Sequence, residues 1–524
     1  MIKKLLFVLI GLALILTIII WYGFSTPTKD VTDIEITSTS KPVVFLLIDS
    51  LMHEPLQQAI EEGRAPALAF LADNGQYFSQ IVSSYPTMSV TIDSTLLTGT
   101  YADQHRIPAL AWFNNKENRL VNYGSSAMEI YQLGIKQVLH DNIYQLNQKH
   151  LSKQTSTIFE DLANRKDDSA SINGMLYRGN DQHDLHIPKL ISMFNLLPDT
   201  AQINGPTLLS LGSLSQFSSK NNNHNNIWQR LGMNDQFTSN ELKKLIQDDK
   251  LPTFTLAYFP RLDKQVHKNG PMTIDGIEDV DQVLQSILNE FPSWEKATEA
   301  MSVIVYGDSG QAVIGEDKET ALIDLKVLSE TYRLSKLGEP IRKEDQIVLA
   351  VNSRMAYINL LDENVTYKEM ISHLVKDPRI GFIAWKDDNG NHVVSEESGD
   401  VLTFKPNGKY TDQYEQDWNL DGDISILDLF VDEENKITYW DYPDALARLY
   451  GALHSHQGRY IIVDAKPGYE FIGEHSPTHL GGGGHGSLHK DDSLTPMIIT
   501  STDSTPKYER AIDIKDWILK LTDK

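Results

Sequence analysis

Hydrophobic residues along the chain gather into short runs that stop abruptly on an acid or a glycine. "KPVVFLLIDS" is apolar without interruption from Val43 to Ile48 and ends on Asp49. That is the pattern of a strand buried on both faces, whose carboxyl end delivers a polar side chain. "PTFTLAYF", "MSVIVYGDSG" and "TPMIIT" repeat the form. Between these runs the spacing becomes helical: Leu56 to Leu71 predicts one helix, and Ile277, Val280, Leu284, Ile287 and Leu288 fall on a single stripe of another. Strands alternating with helices predict an α/β fold with a mostly parallel sheet covered on both faces, and ligands bind such sheets outside the carboxyl ends of the strands. The stretches near 112–250 and 316–442 lose the pattern, are rich in Asn, Asp and Lys, and read as insertions that frame a pocket.

The first residues follow a different pattern. "MIKKLLFVLIGLALILTIIIWYGFSTP" sets Lys3 and Lys4 before an uncharged stretch from Leu5 to Phe24, about 30 Å long as a helix and enough for a bilayer core. Residues 1–24 therefore predict a single-pass membrane anchor, N-terminus inside, with the remainder extracytoplasmic; a cleaved signal peptide and a secreted protein is the other reading. The polar segment 25–40 reads as a linker with no fold of its own, leaving 41–524 for the globular part.

Charge and composition narrow the chemistry. Lys and Arg number 47 against 71 Asp and Glu, a net charge of −24, which argues against nucleic acid as a partner. Cysteine is absent, so any metal must be held by carboxylates, imidazoles, hydroxyls or water. "YPTMSVTIDSTLLTGTYADQHRI", from Tyr85 to Ile107, is crowded with hydroxyls, which are poor nucleophiles unless a base or a metal ion activates them. Asp263 and His267, four apart after an apolar run, would share one helix face and could grip a cation, although such pairs also occur on ordinary surfaces. Four glycines, Gly481 to Gly484, lead into His485 and His489; they are expected to bring backbone close to a ligand or metal rather than to pack. Asp308 in "VIVYGDSG" closes another run, where a plain strand-to-helix cap is the alternative.

In that order these pieces resemble the alkaline phosphatase superfamily, and most closely its type I phosphodiesterase and nucleotide pyrophosphatase branch. That family shows a strand ending in Asp and a Pro-Thr-x-Ser/Thr segment leading to Thr-Gly-x-Tyr-Pro-x-x-His-Gly-Ile. An Asp-x-x-x-His, an Asp-His-Gly and a late His-Gly follow. Here they read "LLIDS", "YPTMSVTIDSTLLTGTYADQHRI", "DKQVH", "GDSG" and "GGGGHGSLH". The resemblance implies a three-layer catalytic domain over 41–524 with inserted cap segments, acting as a metal-dependent phosphoric ester hydrolase through a phosphorylated serine. It puts Ser89 on the nucleophile. It implies one metal site from Asp263, His267 and His485, and another from Asp49, Asp308 and Ser89, with zinc the expected ion and manganese or magnesium an alternative at the second. A small-molecule, lipid or wall-polymer phosphate ester would be the substrate. A phosphomonoesterase, or a binding module of the same fold with a decayed metal centre, is the alternative.

Two positions depart from the pattern. Ser309 stands where the family carries a histidine, so the second site loses an imidazole and another residue, with His489 a candidate, would have to supply a ligand. Ile92 stands where the nucleotide pyrophosphatases carry an Asn that binds the phosphoryl oxygen; Asp93 beside it would repel phosphate unless a metal intervened. Separately, "DWNLDGDISILD" sets Asp417, Asn419, Asp421, Gly422, Asp423, Ser425 and Asp428 at the offsets of an EF-hand or dockerin-type calcium loop. A solvated acidic turn after a strand is the competing reading.

Overall fold

The apolar runs become strands of one seven-stranded sheet in the structure, a computed structural model that describes residues 27–36, 40–193, 200–398 and 400–523. In chain order the strands are β1 (Val43–Ile48), β2 (Gly75–Val82), β3 (Ser169–Ile172), β4 (Leu208–Ser210), β5 (Phe254–Phe259), β6 (Ser302–Gly307) and β7 (Leu494–Thr500). They lie side by side as β2-β7-β6-β1-β5-β3-β4, and every pairing is parallel except those of β7, which runs against β2 and β6. Every residue of β1 is buried. Val44, Leu46 and Ile48 enter one core with helices α1 (His53–Glu61), α2 (Pro66–Asp73) and α5 (Ile274–Leu288). Val43, Phe45 and Leu47 enter a second core with α3 (Ser89–Thr98) and α6 (Ala511–Leu521). Period-two alternation of a wholly apolar strand thus gives the three-layer α/β arrangement, each such side chain contributing about 1.5–3 kcal/mol on burial. A further helix, α4 (Arg261–Asn269), carries chemistry.

Several expectations change. The helix expected over Leu56 to Leu71 is two helices, because Gly63 turns left-handed at φ 71 and Pro66 opens a new first turn. The stretch 112–250 is not wholly an insertion, since it supplies β3 and the edge strand β4 of the sheet. The described part of the 25–40 linker is packed: Val31 is fully buried in the first core, Ile34 and Ile36 rest on it, and Lys29 N–H donates to the Gln216 carbonyl at 2.9 Å. The expected anchor over residues 1–24 lies outside the described residues; among those described, no helix is long and apolar enough to cross a membrane.

The stretch 316–442 contributes to a second, nine-stranded sheet that runs from Ile347–Asn352 to Arg459–Ala465, with neighbouring strands mostly antiparallel. This sheet overturns the geometry of the calcium loop. Asp417–Asp421 is a strand paired with Leu402–Asp412, with Thr411 opposite Asp417 and Thr403 opposite Asp421. Asp423 instead caps the 3₁₀ turn Ile424–Leu427, and Asp428 accepts from the Asp441 N–H at 3.0 Å. Stretched over a strand and a turn, the offsets do not wrap around one point, and hydrogen bonding of the extended backbone to its neighbour is the reason.

Candidate metal centre

Register builds the site. Ile48 at the end of β1 faces Phe259 of β5 and Gly307 of β6, so the residues that follow the three strands emerge at one level. Asp49 follows β1, Asp308 follows β6, and α4 starts two residues after β5. On α4, Asp263 and His267 are one turn apart, with His267 Nε2 3.2 Å from Asp263 Oδ1. His485 arrives from far along the chain and puts its Nε2 3.7 Å from the same oxygen. Among the described residues, Asp263, His267 and His485 form the one trio of such side chains whose ligand atoms all lie within 4.8 Å of one another.

Backbone carbonyls set the two imidazoles. A carbonyl only accepts, so the Nδ1–H of His267 donates to Gly483 at 2.8 Å and that of His485 donates to Thr87. Both Nε2 atoms are thereby left for a metal, the usual outer support of a histidine ligand. The glycine tract makes this possible, but by packing, contrary to the expectation. A Cβ on Gly482 would lie 2.0 Å from the His267 carbonyl, and one on Gly483 2.6 Å from Gln311 Oε1. The close approach is to α4, and it brings the Gly483 carbonyl onto His267. The second sheet secures the rest of the loop. Arg354 N–H donates to the His485 carbonyl at 3.0 Å, Ser487 Oγ donates to Asp464 at 2.5 Å, and Tyr85 donates to the same carboxylate at 2.9 Å.

Charge in the trio is already organised for a cation. Burial opposes the ionised Asp263 carboxyl, but His267 and His485 beside it hold it below the usual carboxylate range. Burial likewise opposes the His267 imidazolium, yet the Asp263 carboxylate outweighs it and lifts the ring to about 9. His485 falls to about 4 through burial and the neighbouring His267 charge. The raised value stabilises the metal-free fold fully below the ordinary histidine range, an advantage lost as pH rises through about 9. Metal binding must expel that proton. Zinc affinity of the trio is therefore expected to rise about tenfold per pH unit up to about pH 9 and to level off above it, measured by competition with a chelator of known affinity. A flat profile over that range would contradict the assignment of the proton to His267.

A second group of oxygens lies beside the trio. Asp308 Oδ1 accepts from the Ser50 N–H at 2.8 Å and the Ser309 N–H at 2.7 Å, whereas its Oδ2 has no partner. Asp49 accepts from the Tyr258 hydroxyl with one oxygen and leaves the other free. Ser50, at φ 60, ties the groups together: its hydroxyl donates to Asp263 Oδ1 at 3.0 Å while its amide holds Asp308. Gln311 Nε2 reaches both Ser50 Oγ and Asp263 Oδ1 at 2.8 Å. Burial, with the charges of Asp308 and Asp263 added, pushes Asp49 well above the usual range, and burial raises Asp308 to about 6. Buried carboxylate oxygens without partners are costly unless a positive charge meets them, so a divalent cation fits this donor set.

Ser89 opens α3 near the Asp308 carboxyl, and its hydroxyl works against the rise that burial imposes on that group. From Ser83 to Thr98 every Ser and Thr is buried except Ser89. Thr87, Ser94, Thr95 and Thr98 are engaged in hydrogen bonds inside the protein. His105 is buried as well, bonded to Thr95 and to the Ile107 amide. His489 does not come to the site. It caps the short helix Lys490–Ser493 and faces Asp441 and Asp491 at 3.9 and 3.4 Å. Ser309 is present but its hydroxyl is buried and unpartnered, and Ile92 is buried apolar core. Ser50 and Gln311 were not anticipated: Gln311 lies next to "GDSG", and Ser50 carries no signal.

The family model for type I phosphodiesterase / nucleotide pyrophosphatase matches residues 43–488. No curated relative matches the chain. Among solved structures, the chain is similar to murine ectonucleotide pyrophosphatase / phosphodiesterase 5, with 14% identity over 92% of this chain and 95% of that one and a TM-score of 0.54. An inactive threonine-to-alanine form of the murine protein in complex with AMP gives the same figures. The human counterpart matches at 15% identity over 92% of this chain and 94% of its own, TM-score 0.55. At such identity the likeness speaks for the fold.

Proposed function

The chain belongs to the type I phosphodiesterase/nucleotide pyrophosphatase family, and from that premise we propose that it is an extracytoplasmic, metal-dependent hydrolase of phosphoric diesters or pyrophosphates working through a phosphorylated Ser89. The observation that carries this is the singling out of Ser89, the one hydroxyl of a buried hydroxyl-rich segment left open, beside a trio of metal-ligand type that Ser50 links to Asp308. Asp263, His267 and His485 would hold one divalent cation, zinc by ligand type, and Asp49 and Asp308 with Ser89 another. Cations so held supply positive charge to the attacking and leaving oxygens of an in-line displacement.

Each step belongs to a named atom. Ser89 Oγ bonds to phosphorus as the bond from phosphorus to the leaving oxygen breaks, and water then cleaves the Oγ–P bond. The first amides of α3 have no partner within the helix and can receive a phosphoryl oxygen. Ser50 and Gln311 hold Asp263 in place. Arg448 and Arg354 are spent on the Ser84 carbonyl and on Asp492, so neither offers itself to a terminal phosphate, which favours diesters over monoesters. The apolar stretch Leu5 to Phe24 supports reading the domain as extracytoplasmic, anchored or secreted, where nucleotides, lipid head groups and wall polymers would supply such bonds.

The test compares an aryl phosphodiester with an aryl phosphomonoester, using the full chain with zinc or manganese and again with a chelator. Diester turnover at least about tenfold above monoester turnover, abolished by chelation, is expected. Monoester preference, or turnover indifferent to the chelator, would overturn the proposal.

A further inference from the structure

A second cavity, of about 930 Å³, shares no residue with the metal centre: none of Asp49, Ser89, Asp263, His267, Asp308 and His485 lines it. Its walls are the turn between strands Ala111–Asn114 and Arg119–Asn122, the end of the π-helical turn Asp141–His150, strand Ile380–Asp387 of the second sheet and the chain from Tyr450 to Gly458. Arg106, Lys116, Lys149, Lys153 and Lys386 all line this one space. In a chain of net charge −24 that gathering is against the average, and among the described residues none of the five makes an ion pair. Of the two acids at the cavity, Glu117 is taken up by Arg119 at 2.5 Å and His150 at 3.1 Å, which leaves Asp103. Positive charge is in excess there.

Like charges brought together without counter-charges cost the fold energy. Lys386 bears that cost: it is half-buried, its Nζ lies 5.6 Å from the centre of the Tyr460 ring, and burial together with the Arg106 charge lowers its pKa. Burial, with Lys386 and Arg106 adding to it, lowers His454 to about 4 and His456 to about 3. Both imidazoles are therefore neutral, and the positive charge is that of lysine and arginine alone. Arg106 is fixed in place at φ 67, with Nη1 donating to the His454 carbonyl at 2.5 Å. Its Nε and Nη2 donate to no protein acceptor among the described residues, so part of the guanidinium fork stays open. His456 is 8% exposed, and its Nε2 has no partner either.

We propose that this cavity is a second binding site, separate from the metal centre, for an anion carrying two or more phosphate groups, held by Arg106 and Lys386 with Lys116, Lys149 and Lys153. Guanidinium and ammonium groups are the usual phosphate partners, the first through its planar fork and the second as a point charge. The number of groups follows from the span: five cations on four separate segments around about 930 Å³ are more than a single tetrahedral anion can touch. Such an anion is either a free oligophosphate or a stretch of a phosphodiester polymer. The proposal does not depend on the hydrolase reading.

Calorimetry of the full chain tests it, once with zinc and once with a chelator, so that binding which survives chelation is read apart from the metal centre. Inorganic phosphate, tripolyphosphate, poly(glycerol phosphate) and poly-glutamate are the probes. One tripolyphosphate per chain is expected with the chelator present, at least about tenfold tighter than phosphate and weakening as salt is raised, since a charge-assisted contact is worth about tenfold. Displacement of tripolyphosphate by poly(glycerol phosphate) identifies a polymer as the source, and its failure to displace identifies a free oligophosphate. Lys386→Gln should weaken tripolyphosphate by about tenfold or more, whereas Lys386→Arg should stay within about threefold of wild type, which guards against mere misfolding. Aryl diester turnover should be the same in both variants as in the wild type. Absence of chelator-resistant binding, affinity unmoved by Lys386→Gln, or preference for poly-glutamate over tripolyphosphate overturns the proposal. Failure of the hydrolase reading would appear separately, as absent turnover in a protein that still binds tripolyphosphate.

Discussion

Ser89→Ala is expected to reduce hydrolysis of an aryl phosphodiester by on the order of 10⁴-fold or more, the scale on which enzymes lose rate when the attacking group is deleted. The fold should not notice. Ser89 is the first residue of α3, alanine is a better helix former than serine, and Met88, which precedes the helix, supplies no side-chain cap to disturb. The cation of the trio should be retained too, since none of the trio's ligand atoms belongs to Ser89. Rapid acid quenching of the wild type should show phosphate on the peptide carrying Ser89, and the variant should show none. Retained turnover would move the attack to water or to another hydroxyl. The segment offers little choice, because its other hydroxyls are buried and mostly engaged.

Asp263→Asn is the second large effect. One oxygen of Asp263 is the meeting point of His267, His485, Ser50 and Gln311, so the substitution keeps the shape and removes the charge on which two imidazoles converge. A metal contributes several kcal/mol of transition-state stabilisation, and each 1.36 kcal/mol is tenfold, so hydrolysis should fall by roughly 10³-fold. The sign of one further change is set. The Asp263 carboxylate holds His267 up at about 9 against the effect of burial, and without it the ring must titrate lower. Proton NMR of the metal-free variant reads that shift directly. A His267 value unmoved by the substitution would show that the pair is not coupled as described, whatever happens to the rate.

The parts of this centre that were legible in the sequence are those where a polar residue interrupts or ends an apolar run. Asp49 and Asp308 cap strands buried on both faces, and Asp263 and His267 share a helix face because four residues make about one turn. What was not legible has equally physical causes. Strands β3 and β4 are short and serine-rich, "SASI" and "LLS", and join the sheet through backbone hydrogen bonds that need no apolar run. Outer strands of the second sheet, such as Asp417–Asp421 and Lys436–Tyr439, interleave exposed polar positions with buried ones and so read as irregular chain. The glycine tract was expected against a ligand, yet its lack of side chains serves contact with α4, a difference that only the tertiary fold decides.

The insertions also acquire a role. Asp464 on a strand of the second sheet and Arg354 in the turn between two of its strands receive or hold the loop of His485, so this sheet is part of the support of the metal centre. It joins β1, α4 and α3 on the one side to a loop reached only late in the chain.

Anomalous X-ray diffraction from crystals grown with Zn²⁺ and Mn²⁺ tests the central claim most directly. A zinc peak bounded by Asp263, His267 and His485 is expected, with a second cation held by Asp49 and Asp308 and the Ser89 hydroxyl beside it. Cations found only elsewhere, for instance between His489, Asp441 and Asp491, would contradict the account.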